Sequence, residues 1–337
     1  METPTKVAVV ILNYNGINWL KKFLRDVVKK TRNADVIIAD NASTDDSINY
    51  ITNNFPSVKL ILNKKNEGYA GGYNRALQQI SAEYYVLLNT DVEVTNNWIE
   101  PIIELMDNDS NIAACQPKIK EFNNKNSFEY AGASGGFLDK YGYPFCRGRI
   151  FETLEEDKGQ YDDACEVFWA SGACLFLRAN AFHDVGGFDW EFFAHMEEID
   201  LCWKLKNKGY KIMCEPKSTI FHVGGGTLRS GSTLKTYLNY RNNLLMLYKN
   251  LDPHKRFSTI FKRMLLDGIS SIKFILNGKP HHIFYIIKAH IKYYILINKY
   301  KKKKIKSYQA KLFPKSIVYL YFIKGLKTYY QIKKDFS

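Results

Sequence analysis

Leu87-Leu88-Asn89-Thr90-Asp91 closes an apolar run on a carboxylate, a pairing of residue types that can do chemistry. The run Tyr84-Tyr85-Val86-Leu87-Leu88 has the composition of a buried parallel strand, and open α/β sheets bind ligands at the carboxyl ends of their strands. A hard oxygen ligand such as Asp91 there suits Mg2+ or Mn2+, which holds the negative charge of a diphosphate without a proton, with Asn89 supporting the turn. Taken alone, Asn-x-Asp equally describes an ordinary turn. A second acidic cluster, Glu197-Glu198-Ile199-Asp200, supplies carboxylates able to take a proton from an attacking hydroxyl. With Leu201 and Leu205 turned inward at i, i+4, the segment starts a helix, and glutamates at that end also serve the helix dipole. Asp200 reads as the residue that orders the helix start.

Three segments are expected to position these groups. Val7 to Leu12 form a strand that runs into Asn13-Tyr14-Asn15-Gly16, then into a helix with Trp19, Leu20, Phe23, Leu24 and Val27 at helical spacing. Strand, turn and helix in that order make a nucleotide-binding half-unit. Val36 to Ala39 form a second strand, followed by Asp40-Asn41-Ala42-Ser43-Thr44-Asp45, a polar turn and helix cap that puts Asp40 beside Tyr14. Asn66-Glu67-Gly68-Tyr69-Ala70-Gly71-Gly72-Tyr73-Asn74-Arg75 precedes and opens a helix, its glycines permitting close backbone approach to a ligand. It has neither the G-x-G-x-x-G spacing of a dinucleotide site nor the G-K-[ST] of a P-loop, so the phosphate reading rests on order and context.

Together these segments resemble the family 2 glycosyltransferases of GT-A fold, and within them the bacterial rhamnosyltransferase-like branch, in which N-Y-N, D-N-A-S-T-D, N-x-G-x-A-G-G-x-N and L-N-x-D follow in order. Trp169-Ala170-Ser171-Gly172, Val185-Gly186-Gly187-Phe188-Asp189, the glutamate cluster and Phe221-His222 continue the pattern, over roughly residues 6 to 249. The resemblance implies an inverting enzyme that moves a sugar from a nucleotide diphosphate donor to a hydroxyl of a glycan or lipid-linked acceptor, with a donor such as dTDP-rhamnose. It implies that Tyr14 stacks on the base and Asp40 accepts from its ring N–H. Further donor contacts are implied for Leu12, Asn41, Asn66, Gly68, Gly71, Asn74, Arg75, Asn89, Trp169, Ser171 and Gly172. Arg75 equally reads as a solvated helix charge and Trp169 as core. His222 corresponds to a frequent second metal ligand, its plain alternative being a histidine that ends a strand and bonds to backbone. The family's usual Glu-Asp places its base at Glu198, one methylene longer here, with Glu197 the other candidate. No Q-x-x-R-W follows, which points to one sugar per encounter.

The charge is divided unevenly. Residues 250–337 carry 20 Lys+Arg against 3 Asp+Glu, whereas residues 1–249 carry 28 against 31. The expected division is a catalytic domain over 1–249 and a basic helical appendage over 250–337. Phe257, Ile260, Phe261, Met264, Leu265, Ile269, Ile272 and Leu276 recur at helical spacing among Arg256, Lys262, Arg263 and Lys273. A second apolar segment, Ile283 to Ile297, is broken by Lys288, His290 and Lys292, too short and too charged to span a bilayer; Lys301–Lys304 form a polybasic run. Such helices suit the anionic surface of a membrane, the alternative being packing on the core or on a second subunit. The acidic balance of 1–249 and the lack of nucleic-acid motifs argue against a nucleic-acid partner. Six cysteines without C-x-x-C spacing and an N-terminus that enters its first strand at once are expected of a reduced, cytoplasmic protein, peripheral on the inner face of the membrane. A loop over 223–235, rich in Gly and Ser, is placed to close over the donor. The competing readings are a sugar nucleotidyltransferase, whose G-x-G-T-R-like loop is missing after the first strand, and a noncatalytic membrane or nucleic-acid binding protein, which leaves Asp91 and Glu198 without a task.

Overall fold

A computed structural model describes residues 5–224, 231–301 and 310–334. The core opens with β1 (Thr5–Asn13), α1 (Ile17–Lys30), β2 (Asp35–Asp40), α2 (Ser47–Asn54), β3 (Lys59–Leu62), α3 (Gly68–Leu77), β4 (Ala82–Asn89), β5 (Val92–Val94), α4 (Glu100–Asn108) and β6 (Ile112–Glu121). Short strands follow: β7 (Gly136–Leu138), β8 (Pro144–Cys146), β9 (Arg149–Ile150), β10 (Thr153–Leu154) and β11 (Cys165–Val167). The core ends with β12 (Cys174–Arg178), α5 (Ala179–Asp184), α6 (Glu197–Asn207), β13 (Lys211–His222) and α7 (Thr233–Asn250). The appendage comprises α8 (Pro253–Leu276), α9 (His282–Leu296), α10 (Ile317–Phe322) and α11 (Tyr329–Lys334).

Nine strands form one mixed sheet in the order β11-β13-β6-β12-β4-β1-β2-β3, with β5 on β13. β1, β2, β3 and β4 run parallel, while β12 is antiparallel between β4 and β6. Both faces of the sheet are covered, so its central strands read as continuous apolar runs rather than alternating ones. Along β1, Val7, Val9 and Ile11 enter one hydrophobic layer, and Ala8 and Val10 the other. α1 packs on the first layer through Leu20, Phe23, Leu24 and Val27, the stripe expected from its spacing.

The parallel register places Leu12 opposite both Ala39 and Asn89, and Asn13 opposite Asp40. The polar residues that follow three strands therefore meet along one edge. β13 brings in the fourth contribution by pairing its last residue, His222, with Val92, next to Asp91. β7 to β10 form a separate small sheet. Phe145 and Ile150 of that sheet bury against Ile317, Leu320 and Ile332, so α10 and α11 of the basic region cover it. Among the described residues no helix is long and apolar enough to cross a membrane. Residues 225–230 of the glycine-rich loop and 302–304 of the polybasic run lie outside the described residues.

Candidate active site

Asp91 and His222 are both buried, and His222 Nε2 stands 3.2 Å from Asp91 Oδ1. Glu129, also buried, faces the other ring nitrogen: its Oε1 is 3.3 Å from Nδ1, an ion-pair contact without hydrogen-bond alignment. Burial by itself lowers an imidazole pKa, but Glu129 and Asp91 together override it and raise His222 to about 10. Two carboxylates thus hold a positive charge between them, carried by the ring proton here and by a divalent ion if one displaced that proton from Nε2. A carboxylate behind Nδ1 with Nε2 turned to a second carboxylate is how metal-binding histidines are oriented, so the donor set fits a small divalent ion. Two protein ligands leave room for phosphate oxygens and water, as magnesium sites commonly do. Among the described residues there is no ready-made cluster of three ligands. Glu129 carries no motif, and only the fold brings it to His222.

Around the nucleotide turn, Asn13 Nδ2 donates to Asp40 Oδ2 at 2.9 Å and to Ser43 Oγ at 3.1 Å, and the Ser43 N–H donates to Asp40 Oδ1 at 2.8 Å. Asp40 is thereby fixed at the end of β2, each oxygen keeping a lone pair for a ligand. Asp45 ties the helix starts together, accepting from the Ile17 and Ser47 amides. Tyr14 is 40% exposed at the end of β1. Asn41 donates to Asn66 Oδ1 and to the Gly68 carbonyl, which pins the glycine-rich segment to the β2 end.

The glycines of that segment leave room for neighbouring protein. A Cβ on Gly68, whose φ is +70°, would lie 2.3 Å from the Phe193 carbonyl oxygen; one on Gly71 would meet Glu67 and Trp190, and one on Gly72 would meet Leu12. The first amides of α3 are also taken, Gly68 N–H by Asn66 Oδ1 and Ala70 N–H by the Phe193 carbonyl. These glycines and amides thus pack α3 against its neighbours. Four further residues behave likewise. Asn74 bonds in both directions to the Phe188 backbone, Trp169 is buried and donates to the Phe137 carbonyl, Ser171 donates to the Ala131 carbonyl, and Arg75 pairs with Glu67 beneath Trp190. Gly172 leaves room for the Tyr69 hydroxyl, which donates to its carbonyl at 2.8 Å. Asn89 donates its N–H to the Ala173 carbonyl next door.

Glu197 and Glu198 open α6, as expected, with Leu201 and Leu205 buried behind them. Each has one carboxylate oxygen, Oε2, buried without a hydrogen-bond partner. Desolvation pushes both carboxyls up. Glu197, with Glu198 beside it, goes well above the usual carboxylate range, and Glu198 rises to about 7. Glu198 is the more open of the two. Burial, and after it Tyr73 and the two glutamates, raise the Tyr69 hydroxyl.

The segment presenting them is strained: Phe193, His195 and Met196 all have left-handed φ, at 63°, 69° and 71°. Three such non-glycine residues persist only where neighbours over-determine them. α3 packs on one side of the segment through Gly68. On the other side α7 supplies Asn242, whose Nδ2 lies 2.9, 2.9 and 2.7 Å from the Phe192, Ala194 and His195 carbonyls, and Arg241, which donates to the Glu191 and Phe192 carbonyls. Farther along α7, Lys249 and Asn250 bind Asp200, which joins α6 to α7. Burial lowers both His195, to about 4, and Lys235, which stands near His195 and Glu129. Asn242, Arg241 and Lys235 follow the last recognisable motif, and no local signal marks them.

Residues 8–186 match the family described as glycosyl transferase family 2. The N-acetylglucosaminyl-diphospho-decaprenol L-rhamnosyltransferase of Mycobacterium tuberculosis is 27% identical over 233 residues, 64% of this chain and 75% of the relative. A low-salt glycan biosynthesis hexosyltransferase of Haloferax volcanii is 21% identical over 294 residues, 82% of this chain and 87% of the relative. In tertiary structure the chain is similar to a mannosyltransferase of Pyrobaculum calidifontis solved with GDP-Man and Mn2+, with a TM-score of 0.52 at 13% identity, covering 87% of this chain and 88% of that one. The mixed sheet with helices on both faces is thus the GT-A core, extended by a helical C-terminal region. This chain belongs to glycosyl transferase family 2.

Proposed function

We propose that the protein transfers a single sugar, with inversion, from a nucleotide diphosphate donor to a hydroxyl of a lipid-linked glycan acceptor in cell-surface polysaccharide synthesis. The observation that carries this reading is the pairing of the Asp91–His222–Glu129 arrangement with a half-buried carboxylate near pH 7, Glu198, at the same end of the sheet. Contacts join the two. Asn89 bonds to Ala173, whose neighbour Gly172 accepts from Tyr69 of α3, and α3 donates its Ala70 N–H to the Phe193 carbonyl of the segment that leads into Glu197.

In this reading Tyr14 stacks on the base and Asp40 accepts from its ring N–H. Asp91 and His222 would hold Mg2+ or Mn2+, which supplies charge neutralisation for the departing diphosphate. Glu129 keeps His222 oriented. Glu198 accepts the proton of the attacking hydroxyl, a task suited to a carboxylate whose pKa sits near the working pH. Glu197, pushed higher, keeps its proton and spares Glu198 a like charge. The environments that separate the two carboxyls assign their roles. Rhamnose is the donor sugar we propose, by likeness to the Mycobacterium tuberculosis relative, whose name also supports an acceptor carried on a polyprenyl diphosphate. In this reading the protein works at the cytoplasmic face of the membrane that carries the acceptor.

The test is a thermal-shift panel of nucleotide sugars with and without Mn2+, followed by transfer to a polyprenyl-diphospho-sugar acceptor. The expected product carries one added sugar of inverted anomeric configuration. EDTA and Asp91→Ala are each expected to reduce transfer to background. Full activity in EDTA would refute the metal assignment, and a retained anomeric configuration would refute direct attack by the acceptor.

A further inference from the structure

α8 is inside out for a helix on a water-soluble domain. Its buried side holds Ile260 together with Arg263 and Asp267, an i, i+4 ion pair at 2.8 Å. Arg263 is held further by Asn243 and lies 3.8 Å from the centre of the Tyr143 ring, while His290 of α9 approaches Asp267 at 3.2 Å. The apolar stripe faces outward. Phe257 is 82% exposed and Leu276 80%, with Phe261, Leu265, Ile269 and Ile272 each more than half exposed between them. At 100° per residue these six occupy roughly a third of the helix circumference. α9 repeats the arrangement, burying Ile286, Ala289 and Tyr293 while exposing Phe284, Ile287, Ile291 and Ile295. Amphipathic helices of globular proteins bury the apolar face.

Charge identifies what covers this face. Exposed Lys255, Lys262 and Lys288 border it. Of the three acidic residues in 250–337, Asp252 caps α8 by accepting from the His254 amide, Asp267 is buried in its ion pair, and the third lies outside the described residues. Neither described carboxylate of this region is therefore free to oppose an anionic partner, and the one core carboxylate seen against α8, Glu152, is paired with Lys273 at 3.2 Å. A second copy meeting the same face would set lysine against lysine, since an isologous contact repeats each charge.

We infer that the outward face of α8 and α9 lies in the interface of an anionic lipid bilayer, side chains among the acyl chains and lysines at the headgroups. With α9 too short to span and α8 long enough but charged on one side, such helices bind in the plane of the surface. The transfer reaction as proposed gives the docking its purpose, because it brings the site to a lipid-linked acceptor; the docking itself rests on the surface alone.

The test is flotation of the full chain with vesicles of phosphatidylcholine alone or with phosphatidylglycerol. Wild type is expected to float with the anionic vesicles and to be released by salt. Phe261→Gln/Leu265→Gln/Ile272→Gln is expected to lower partition about a thousand-fold, near ten-fold per side chain no longer buried. Lys255→Gln/Lys262→Gln is expected to lower it about 20-fold, near five-fold per basic residue. All five positions are exposed, and unchanged melting checks that the fold survives. Failure of wild type to float, or flotation unaffected by the triple substitution, would overturn the inference. So would a lipid-free wild-type dimer that the triple substitution converts to monomer, which would assign the face to a second copy. Nucleotide-sugar binding, followed separately on each variant, reports on the transferase reading: its loss in wild type would refute that reading and leave the docking intact.

Discussion

Asn242→Ala tests whether the strained segment before Glu197 is held in place for the chemistry. Phe193, His195 and Met196 in left-handed conformation cost about 1 to 3 kcal/mol each, or about 3 to 9 kcal/mol together. The amide of Asn242 has two hydrogens and faces three backbone carbonyls, so alanine removes two buried hydrogen bonds to the segment, along with the one Arg241 Nε donates to Asn242 Oδ1. Leaving two buried carbonyls unsatisfied costs about 1 to 3 kcal/mol each, a total of about 2 to 6 kcal/mol, comparable with the stored strain. The segment then relaxes toward ordinary dihedrals and carries Glu198 with it. A displacement of about 1 Å is enough to cost roughly 100-fold in rate. The assay is steady-state transfer across pH, with donor affinity and melting followed in parallel. Turnover is expected to fall about 100-fold, with the pH midpoint of kcat moved toward the ordinary carboxylate value as Glu198 becomes hydrated, and donor affinity nearly unchanged. Turnover within two-fold of wild type at an unaltered pH midpoint would refute the positioning role; an equal loss of donor binding and turnover would show general damage instead.

Glu198→Gln is expected to lower turnover by about 10²- to 10⁴-fold while preserving donor affinity, with Glu197→Gln milder and Glu198→Asp retaining measurable activity. The reverse ranking would move the base to Glu197. Because the folded pKa of Glu198 is raised to about 7, its basic form appears as pH rises, so wild-type kcat should climb through about pH 7. The same shift makes the folded state bind more protons than the unfolded one between the ordinary carboxylate pKa and about 7, so stability falls as pH rises across that window; Glu198→Gln should flatten the rate profile and lessen the stability slope, Glu197 keeping its own share. Gly68→Ala places a Cβ 2.3 Å from the Phe193 carbonyl at a φ of +70°, and calorimetry should show a loss of about 2 to 5 kcal/mol. A stability equal to wild type would mean that α3 does not brace the strained segment.

The parts of the site legible in the sequence are those that immediately follow an apolar run. Tyr14, Asp40 and Asn89 each come at the end of a strand, and parallel pairing of those strands is enough to bring them to one edge. The helix at Glu197 was legible for the same local reason, a 3.6-residue pattern beginning beside acidic residues. Glycine permits close approach without specifying what approaches, so only the fold showed that Phe193, Trp190 and Leu12 fill the spaces left by Gly68, Gly71 and Gly72. Glu129, Lys235 and Asn242 were invisible because each acts through a partner far along the chain. The periodicity of α8 defined its apolar stripe but not the direction in which it points. That was decided by Arg263 and Asp267, which find Asn243, Tyr143 and His290 on the inner side and so leave the phenylalanines and isoleucines facing out. Period and strand order are properties of the chain itself, whereas burial, pairing and strain depend on which distant residues supply the other half of each contact.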